Sequence, residues 1–205
     1  MMRQVYMAFI SKKKPRKDFY GKRIGIFGLG PRLGVTHIAV AVSNFLSDEA
    51  KLKVRLYEQN GHGDISRLIQ ALGGSITDKE FTFHRVTYVP FVNDAELLSG
   101  PDCDCMVFDL GRDFTRAKNT LRLCDIKIAV AGDAPWLQKE YVFLKELAAG
   151  NTDISNWRLF VNLGDQARLH EKEKYGMITG CFPFEPDPVY PCRETIMFLQ
   201  EAFKK

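Results

Sequence analysis

The residues of this chain best suited to chemistry lie in a glycine-rich segment, GLGPRLGVTH, at residues 28–37. In such a loop, successive backbone N–H groups and a helix N-terminus point at a phosphate, and glycine lets the backbone approach it closely. A lysine and a Ser or Thr normally complete the site, the first contacting the phosphates and the second coordinating magnesium. The glycines and the hydroxyl position are kept, as Gly28, Gly30, Gly34 and Thr36, whereas Val35 replaces the lysine. The segment predicts a phosphate-binding loop without its cation.

Two further side chains bear on this loop. Arg32 offers a positive charge from a different backbone position, although Pro31 stiffens the preceding turn and removes one N–H. His37 follows Thr36 on the helix, where a histidine more often caps or packs than binds a ligand. Phosphoryl transfer depends on positioning and electrostatics. We therefore expect weak nucleotide binding through the Gly34 N–H, Thr36 and the helix N-terminus, without efficient hydrolysis.

Short apolar runs alternate with longer amphipathic stretches and must position this loop. The apolar runs predict seven strands, at residues 24–29, 54–58, 84–89, 106–110, 126–131, 158–162 and 176–182. The amphipathic stretches predict helices at residues 35–47, 64–72, 113–123, 135–149 and 192–203. This alternation is typical of an α/β fold, with a mainly parallel sheet of about seven strands and helices on both faces. Ligands of such sheets bind beyond the carboxyl ends of the strands.

Composition and charge favour a single domain with a basic arm. The chain has 205 residues, 45% of them apolar and 26% charged, and lacks a continuous apolar stretch able to span a bilayer. Its odd number of cysteines, without an apolar signal segment, predicts a cytoplasmic protein. We expect a basic arm at residues 1–22 and one domain at residues 23–205. Residues 1–23 carry a formal charge of +7. They could bind anionic membrane or nucleic acid, or form a solvated tail.

In the order and spacing of its motifs the chain resembles the MinD/ParA family of deviant P-loop ATPases. Aligning Gly34 and Thr36 on the family's loop places Gly28 on its first glycine. Gly30 then stands at the signature lysine and Val35 at the second lysine, so both lysines are missing.

Three later segments extend the resemblance. VRLYEQNGHGD is similar to the segment that begins the family's first switch, with Glu58 or Asp64 as the nearest acidic equivalent. CDCMVFDLG places Asp109 at the acidic position that supports magnesium; the alternative from the residues alone is a cap of the helix near residue 112. FVNLGDQ places Asn162 where the family contacts adenine, and GCFPFEPDP places Pro183 beside the base.

The resemblance implies a homodimer through the loop-bearing rim, with ATP or ADP as ligand and magnesium held through Thr36 and Asp109. Because loss of one charge-stabilising donor costs about 3 kcal/mol of transition-state stabilisation, loss of two lysines should remove at least as much. The resemblance is therefore to degenerate members similar to TadZ and CpaE, which localise pilus-assembly machinery. The alternatives are an active ATPase whose lysines are substituted, for example by Arg32, and a DNA- or membrane-binding adaptor acting through the arm. A fully degenerate loop would bind no cofactor.

Overall fold

Near-continuous apolar runs form the strands of one sheet. A computed structural model describes residues 17–91, 102–134, 137, 142, 156–164 and 178–204. The strands within these ranges are β1 (Lys22–Gly28), β2 (Val54–Glu58), β3 (Phe81–Phe83), β4 (Val86–Val89), β5 (Cys105–Asp109), β6 (Ile126–Gly132), β7 (Trp157–Asn162) and β8 (Ile178–Phe182). The helices are α1 (Val35–Asp48), α2 (Asp64–Ala71), α3 (Phe114–Leu123) and α4 (Arg193–Ala202), and a 3-10 turn spans Lys17–Phe19.

The sheet has the order β3-β4-β2-β5-β1-β6-β7-β8. Every neighbouring pair is parallel except β3 with β4, which confirms the predicted α/β fold with a mainly parallel sheet. This order places β1 between β5 and β6, so the loop after β1 lies beside the segment after β5. The sheet thereby brings residues distant in sequence to one edge.

The described sheet contains eight strands rather than seven. The predicted strand at residues 84–89 starts only at Val86, because His84 has a left-handed backbone (φ 56°) and turns the chain. The three preceding residues, Phe81–Phe83, form the extra antiparallel strand. Thr82 and Thr87 face each other across this hairpin, their hydroxyls 2.9 Å apart. The edge strand is short and half-exposed, so its sequence pattern did not predict a strand.

Helices cover both faces of the sheet. Side chains alternate along β1, so Ile24 and Ile26 join the core under α1 and α4, whereas Phe27 packs with residues of α3. Gly25 also faces α3 closely, since a Cβ there would lie 2.9 Å from the Cys124 sulfur. Phe19, within the predicted arm, is only 3% exposed and contacts the Phe203 ring edge-on. The folded core therefore includes residues that precede β1.

The observed helices begin and end within one residue of the predicted ones. The fourth predicted helix, at residues 135–149, lies outside the described residues except for positions 137 and 142, as do residues 1–16 of the predicted arm. Among the described residues, no helix is both long and apolar enough to cross a membrane.

Candidate functional site

The glycine-rich loop connects β1 to α1 at the carboxyl end of the sheet. The Gly28 N–H donates to the Gly111 carbonyl at 2.7 Å, which fixes the loop to the segment after β5. Gly34 takes a left-handed conformation (φ 79°) immediately before α1, and its carbonyl accepts the N–H of Ile38 at 2.9 Å. Glycine adopts this conformation without steric cost. The loop therefore ends in a helix N-terminus, as the sequence predicts.

Val35 packs inward at the position of the missing lysine. Its side chain is 9% exposed and belongs to the core cluster under α1. A Cβ on Gly28 would come 2.6 Å from Val35 Cγ2, so the two residues are in close contact. Valine thus supplies packing at a position where a lysine would supply charge.

Thr36 and Asn60 both bind the carboxylate of Asp109. Thr36 Oγ1 donates to Asp109 Oδ2 at 2.5 Å, and Asn60 Nδ2 donates to the same oxygen at 2.7 Å. The other carboxylate oxygen accepts the Gly111 N–H at 3.1 Å. These contacts bring together the ends of β2 and β5 and the start of α1, which were distant in the sequence. Asn60 was not among the predicted site residues.

Asp109 is fully buried, with no exposed surface. Burial raises the pKa of its carboxyl, and the hydrogen bonds from Thr36, Asn60 and Gly111 oppose that shift because they stabilise the charged form. Asp109 does not cap the following helix, so that alternative is wrong: Asp113 caps α3 by accepting the N–H groups of Thr115 and Arg116. The position of Asp109 is instead that of an acidic group beneath the loop.

The two acidic candidates after β2 have different roles. Glu58 is 1% exposed, and its carboxylate accepts the N–H groups of Asp64 at 2.9 Å and Ile65 at 3.3 Å. It therefore stabilises the start of α2, and burial raises its pKa. Asp64 lies at the cavity described below and forms an ion pair with Arg67 at 2.7 Å.

A cavity of about 530 Å³ lies at the loop, beside the two residues that bind Asp109 Oδ2. It is lined by residues 30–37, Asn60, His62, Asp64, Gly111 and Arg112. Gly30, Arg32, Gly34, Val35, Thr36 and His37 thus lie where the sequence predicts a ligand. Gly28 and Asp109 lie behind these walls and support them.

Two arginines of the cavity lining carry free positive charge. Arg32 is exposed and has a left-handed backbone (φ 57°), and Arg112 is exposed on the segment that follows β5. Neither side chain forms a hydrogen bond or ion pair with another described residue. Sequence reasoning missed Arg112, although its place directly after the DLG segment was the available signal.

Asn162 contacts the loop directly. Its Nδ2 donates to the Leu33 carbonyl at 2.8 Å, and its Oδ1 accepts the Leu163 N–H at 3.0 Å. A Cβ on Gly34 would lie 2.7 Å from this Nδ2, so Gly34 makes room for the amide. Pro183 follows β8, the neighbour of β7. Neither Asn162 nor Pro183 lines the described cavity.

The residues fit magnesium only together with a phosphate ligand. Thr36 and Asp109 offer oxygen atoms, which magnesium prefers, and this ion usually keeps several waters and binds substrate phosphates. Within the described residues, no group of three or more His, Cys, Asp or Glu could hold a metal ion. The described residues thus supply too few ligands to bind magnesium without a phosphate.

The geometry defines an α/β protein with a phosphate-binding type of loop. No known sequence family matches the chain, and no curated protein sequence does so. Solved structures do match. A plasmid partition protein from Borrelia burgdorferi bound to AMPPNP superposes with a TM-score of 0.65 at 14% identity, covering 88% of this chain and 99% of that one.

Two further structures agree with that match. A ParA family ATPase from Chlorobium tepidum gives a TM-score of 0.57 at 16% identity, covering 88% of this chain and 91% of that one. The septum site-determining protein MinD from Pyrococcus horikoshii, complexed with Mg-ADP, gives 0.53 at 15% identity, covering 86% and 85%. The chain therefore has the fold of the ParA and MinD ATPases, as its motifs predict.

Proposed function

We propose that this chain is a degenerate MinD/ParA-like protein that binds nucleotide weakly, does not hydrolyse it efficiently, and acts as a localisation or assembly factor. One observation carries the proposal. Val35 is packed into the core at the lysine position, while Thr36 and Asp109 keep their contact at 2.5 Å. The site has kept the parts that hold a phosphate and magnesium and has lost a charge that stabilises phosphoryl transfer.

The described residues have separate roles in this proposal. The N–H groups of the loop and the start of α1 would bind phosphate oxygens. Magnesium, when bound with ATP or ADP, would neutralise phosphate charge, and Thr36 and Asp109 would hold it. The nucleotides in the Borrelia and Pyrococcus structures support this choice of ligand. From the resemblance to MinD/ParA proteins we also propose that the chain forms a homodimer and that the dimer recruits a protein partner. The candidate partner belongs to pilus or secretion machinery.

Calorimetric titration tests the nucleotide part of the proposal. We expect ATP and ADP to bind wild-type protein weakly, and Val35→Lys to bind ATP about tenfold more tightly because it restores one cation near the phosphates. Val35→Met is the matched control, since it adds length without charge. Absence of binding heat at near-millimolar nucleotide would contradict the proposal.

An active ATPase is the second candidate, and the two cavity arginines, which pair with no other residue that the structure describes, favour it. Steady-state phosphate release distinguishes the two candidates. Our proposal predicts release at background level for wild-type protein and for Thr36→Ala and Asp109→Ala alike. Release above background that either substitution abolishes would establish the ATPase instead.

A further inference from the structure

Two arginines line the cavity from neighbouring loops. Arg32 lies in the loop after β1, and Arg112 lies in the segment after β5, which is paired with β1 in the sheet. The hydrogen bond of 2.7 Å from the Gly28 N–H to the Gly111 carbonyl joins the two segments. The position of Arg112 relative to the loop is therefore fixed by the backbone that precedes it.

The charge of these arginines is not balanced within the described structure. Their basic neighbours are paired, Arg67 with Asp64 at 2.7 Å and Arg116 with Asp113 at 3.6 Å. Asp109 is buried and already accepts three hydrogen bonds from the protein. Within the described residues, an anion in the cavity would thus meet two arginines that no carboxylate neutralises.

The backbone of Arg32 adds to this argument. Its left-handed conformation (φ 57°) is one that favours glycine, and the residue is exposed, so packing does not explain the choice of arginine there. Arginine presents a planar fork of N–H donors that binds two phosphate oxygens in a fixed geometry, whereas lysine acts as a compact point charge. Two such groups suit a chain of phosphates better than a single phosphate.

We infer that Arg112, acting with Arg32, supplies the positive charge that binds the ligand, and that the site recognises its ligand chiefly through a polyphosphate group. This inference rests on the proposed function, because it assigns the cations of the same nucleotide site. The sequence offered Arg32, or a residue outside the loop, as a substitute for the lysines, and Arg112 is such a residue at the cavity. Arg112 is here a ligand-binding residue.

Titration with ATP and with sodium tripolyphosphate tests this assignment, because tripolyphosphate has the phosphates without the base. We expect Arg112→Ala to weaken binding of both probes by about tenfold or more, as expected for loss of a charged hydrogen bond. Arg112→Lys should recover part of that loss. Arg116→Ala is the matched control and should stay within about twofold of wild type, because this arginine is paired with Asp113 and does not line the cavity.

Arg32→Gly separates binding from folding. Glycine accepts the left-handed backbone, so this variant should be at least as stable as wild type while binding both probes about tenfold more weakly. A purely structural role for Arg32 would leave binding unchanged. Thermal unfolding of each variant without ligand, beside the titrations, records the two effects independently.

The outcomes separate this inference from the proposed function. If wild-type protein binds both probes and Arg112→Ala binds them equally well, the role of Arg112 is overturned while nucleotide binding stands. If wild-type protein binds tripolyphosphate through Arg112 but does not bind ATP, the nucleotide proposal fails and the polyphosphate inference stands. Binding of neither probe overturns both.

Discussion

At the scale of single residues, the Thr36 hydroxyl stabilises the fold through a buried hydrogen bond. It donates at 2.5 Å to Asp109, a carboxylate with no exposed surface. Thr36→Val keeps the shape of the side chain and removes the donor, so a buried acceptor loses a partner. We expect a loss of about 1–3 kcal/mol in the free energy of unfolding, measured by urea denaturation.

Thr36→Ser is the control for that measurement, because serine keeps the hydroxyl and loses only a methyl group. Its stability should lie clearly above that of Thr36→Val. A Thr36→Val variant as stable as wild type would show that the hydroxyl contributes nothing to stability.

The carboxyl of Glu58 gives the fold a dependence on pH. Burial raises its pKa above the ordinary value of 4.5, so the native state holds this proton more tightly than the unfolded chain does. The resulting stabilisation is complete below pH 4.5 and is lost as the pH rises through the folded-state pKa. We therefore expect the free energy of unfolding to fall with rising pH above 4.5, as seen in denaturation curves at several pH values.

Glu58→Gln should make this dependence shallower, since the amide does not titrate. Burial also raises the pKa of Asp109, so part of the slope will remain in the variant. Glu194→Gln, at an exposed position in the first turn of α4, is the control and should leave the slope unchanged. A slope identical in all three proteins would count against Glu58 as a source.

The sequence indicates some site residues and conceals others for physical reasons. Thr36 and Asp109 stand at fixed positions relative to a glycine-rich loop and a strand end, so local spacing identifies them. Asn60 precedes Gly61, and that pair looks like an ordinary turn. Only the pairing of β2 with β5 shows that its amide reaches Asp109. Arg112 was missed for the same reason, because it lines the cavity only through the pairing of its segment with the loop after β1.

At the scale of elements, β1 and α1 depend on the close contact of Gly28 with Val35. Gly28→Ala would place a methyl group 2.6 Å from Val35 Cγ2 and should destabilise the protein by about 1–3 kcal/mol through overpacking. Val35→Ala removes that carbon and makes room. The double variant should therefore be more stable than the sum of the single effects predicts, by about 0.5–3 kcal/mol in denaturation experiments.

A double-mutant cycle of Gly25→Ala with Val35→Ala is the control for the cycle of Gly28→Ala with Val35→Ala. The neighbours of Gly25 are Cys124, Leu110 and Leu121, on the other face of β1, so the two changes should add within about 0.5 kcal/mol. Additivity in the Gly28 cycle as well would contradict the contact. Coupling confined to that cycle would establish that the contact between Val35 and Gly28 contributes to stability.

The predictability of each element followed the strength of its pattern. The helices are longer and have regular apolar spacing, and those that the structure describes were predicted within one residue. The strand Phe81–Phe83 was missed because it has three residues and no buried one. A left-handed histidine then shifted the start of β4, and the residue types around it did not indicate this turn.

At the scale of the whole molecule, the order of the sheet makes one site from distant segments. In the sheet, Asp109 pairs with Ile26 of β1 on one side and with Glu58 of β2 on the other. This register places the ends of β1, β2 and β5 together. The same fold appears in the partition and division proteins at 14–16% identity. At such low identity the likeness shows a shared fold alone, so the functional argument depends on the residues of the site.

The basic arm predicts that the chain binds anionic membranes. Residues 1–16 contain five Lys or Arg and no acidic residue. Each basic residue near an anionic membrane contributes about 1 kcal/mol, an attraction that salt screens. Deleting residues 1–16 should therefore reduce co-sedimentation with phosphatidylserine vesicles by about tenfold or more at low salt.

The deletion is placed before Phe19 because that ring is buried against Phe203, and a longer deletion would disturb the core. A triple variant, Lys12→Gln with Lys13→Gln and Lys14→Gln, keeps the length of the arm and removes three of its charges. If charge drives binding, this variant should fall between wild type and the deletion, and high salt should remove the differences among all three. Vesicle binding unchanged by the deletion would exclude the arm as a membrane anchor, and the same series with duplex DNA tests the nucleic-acid alternative.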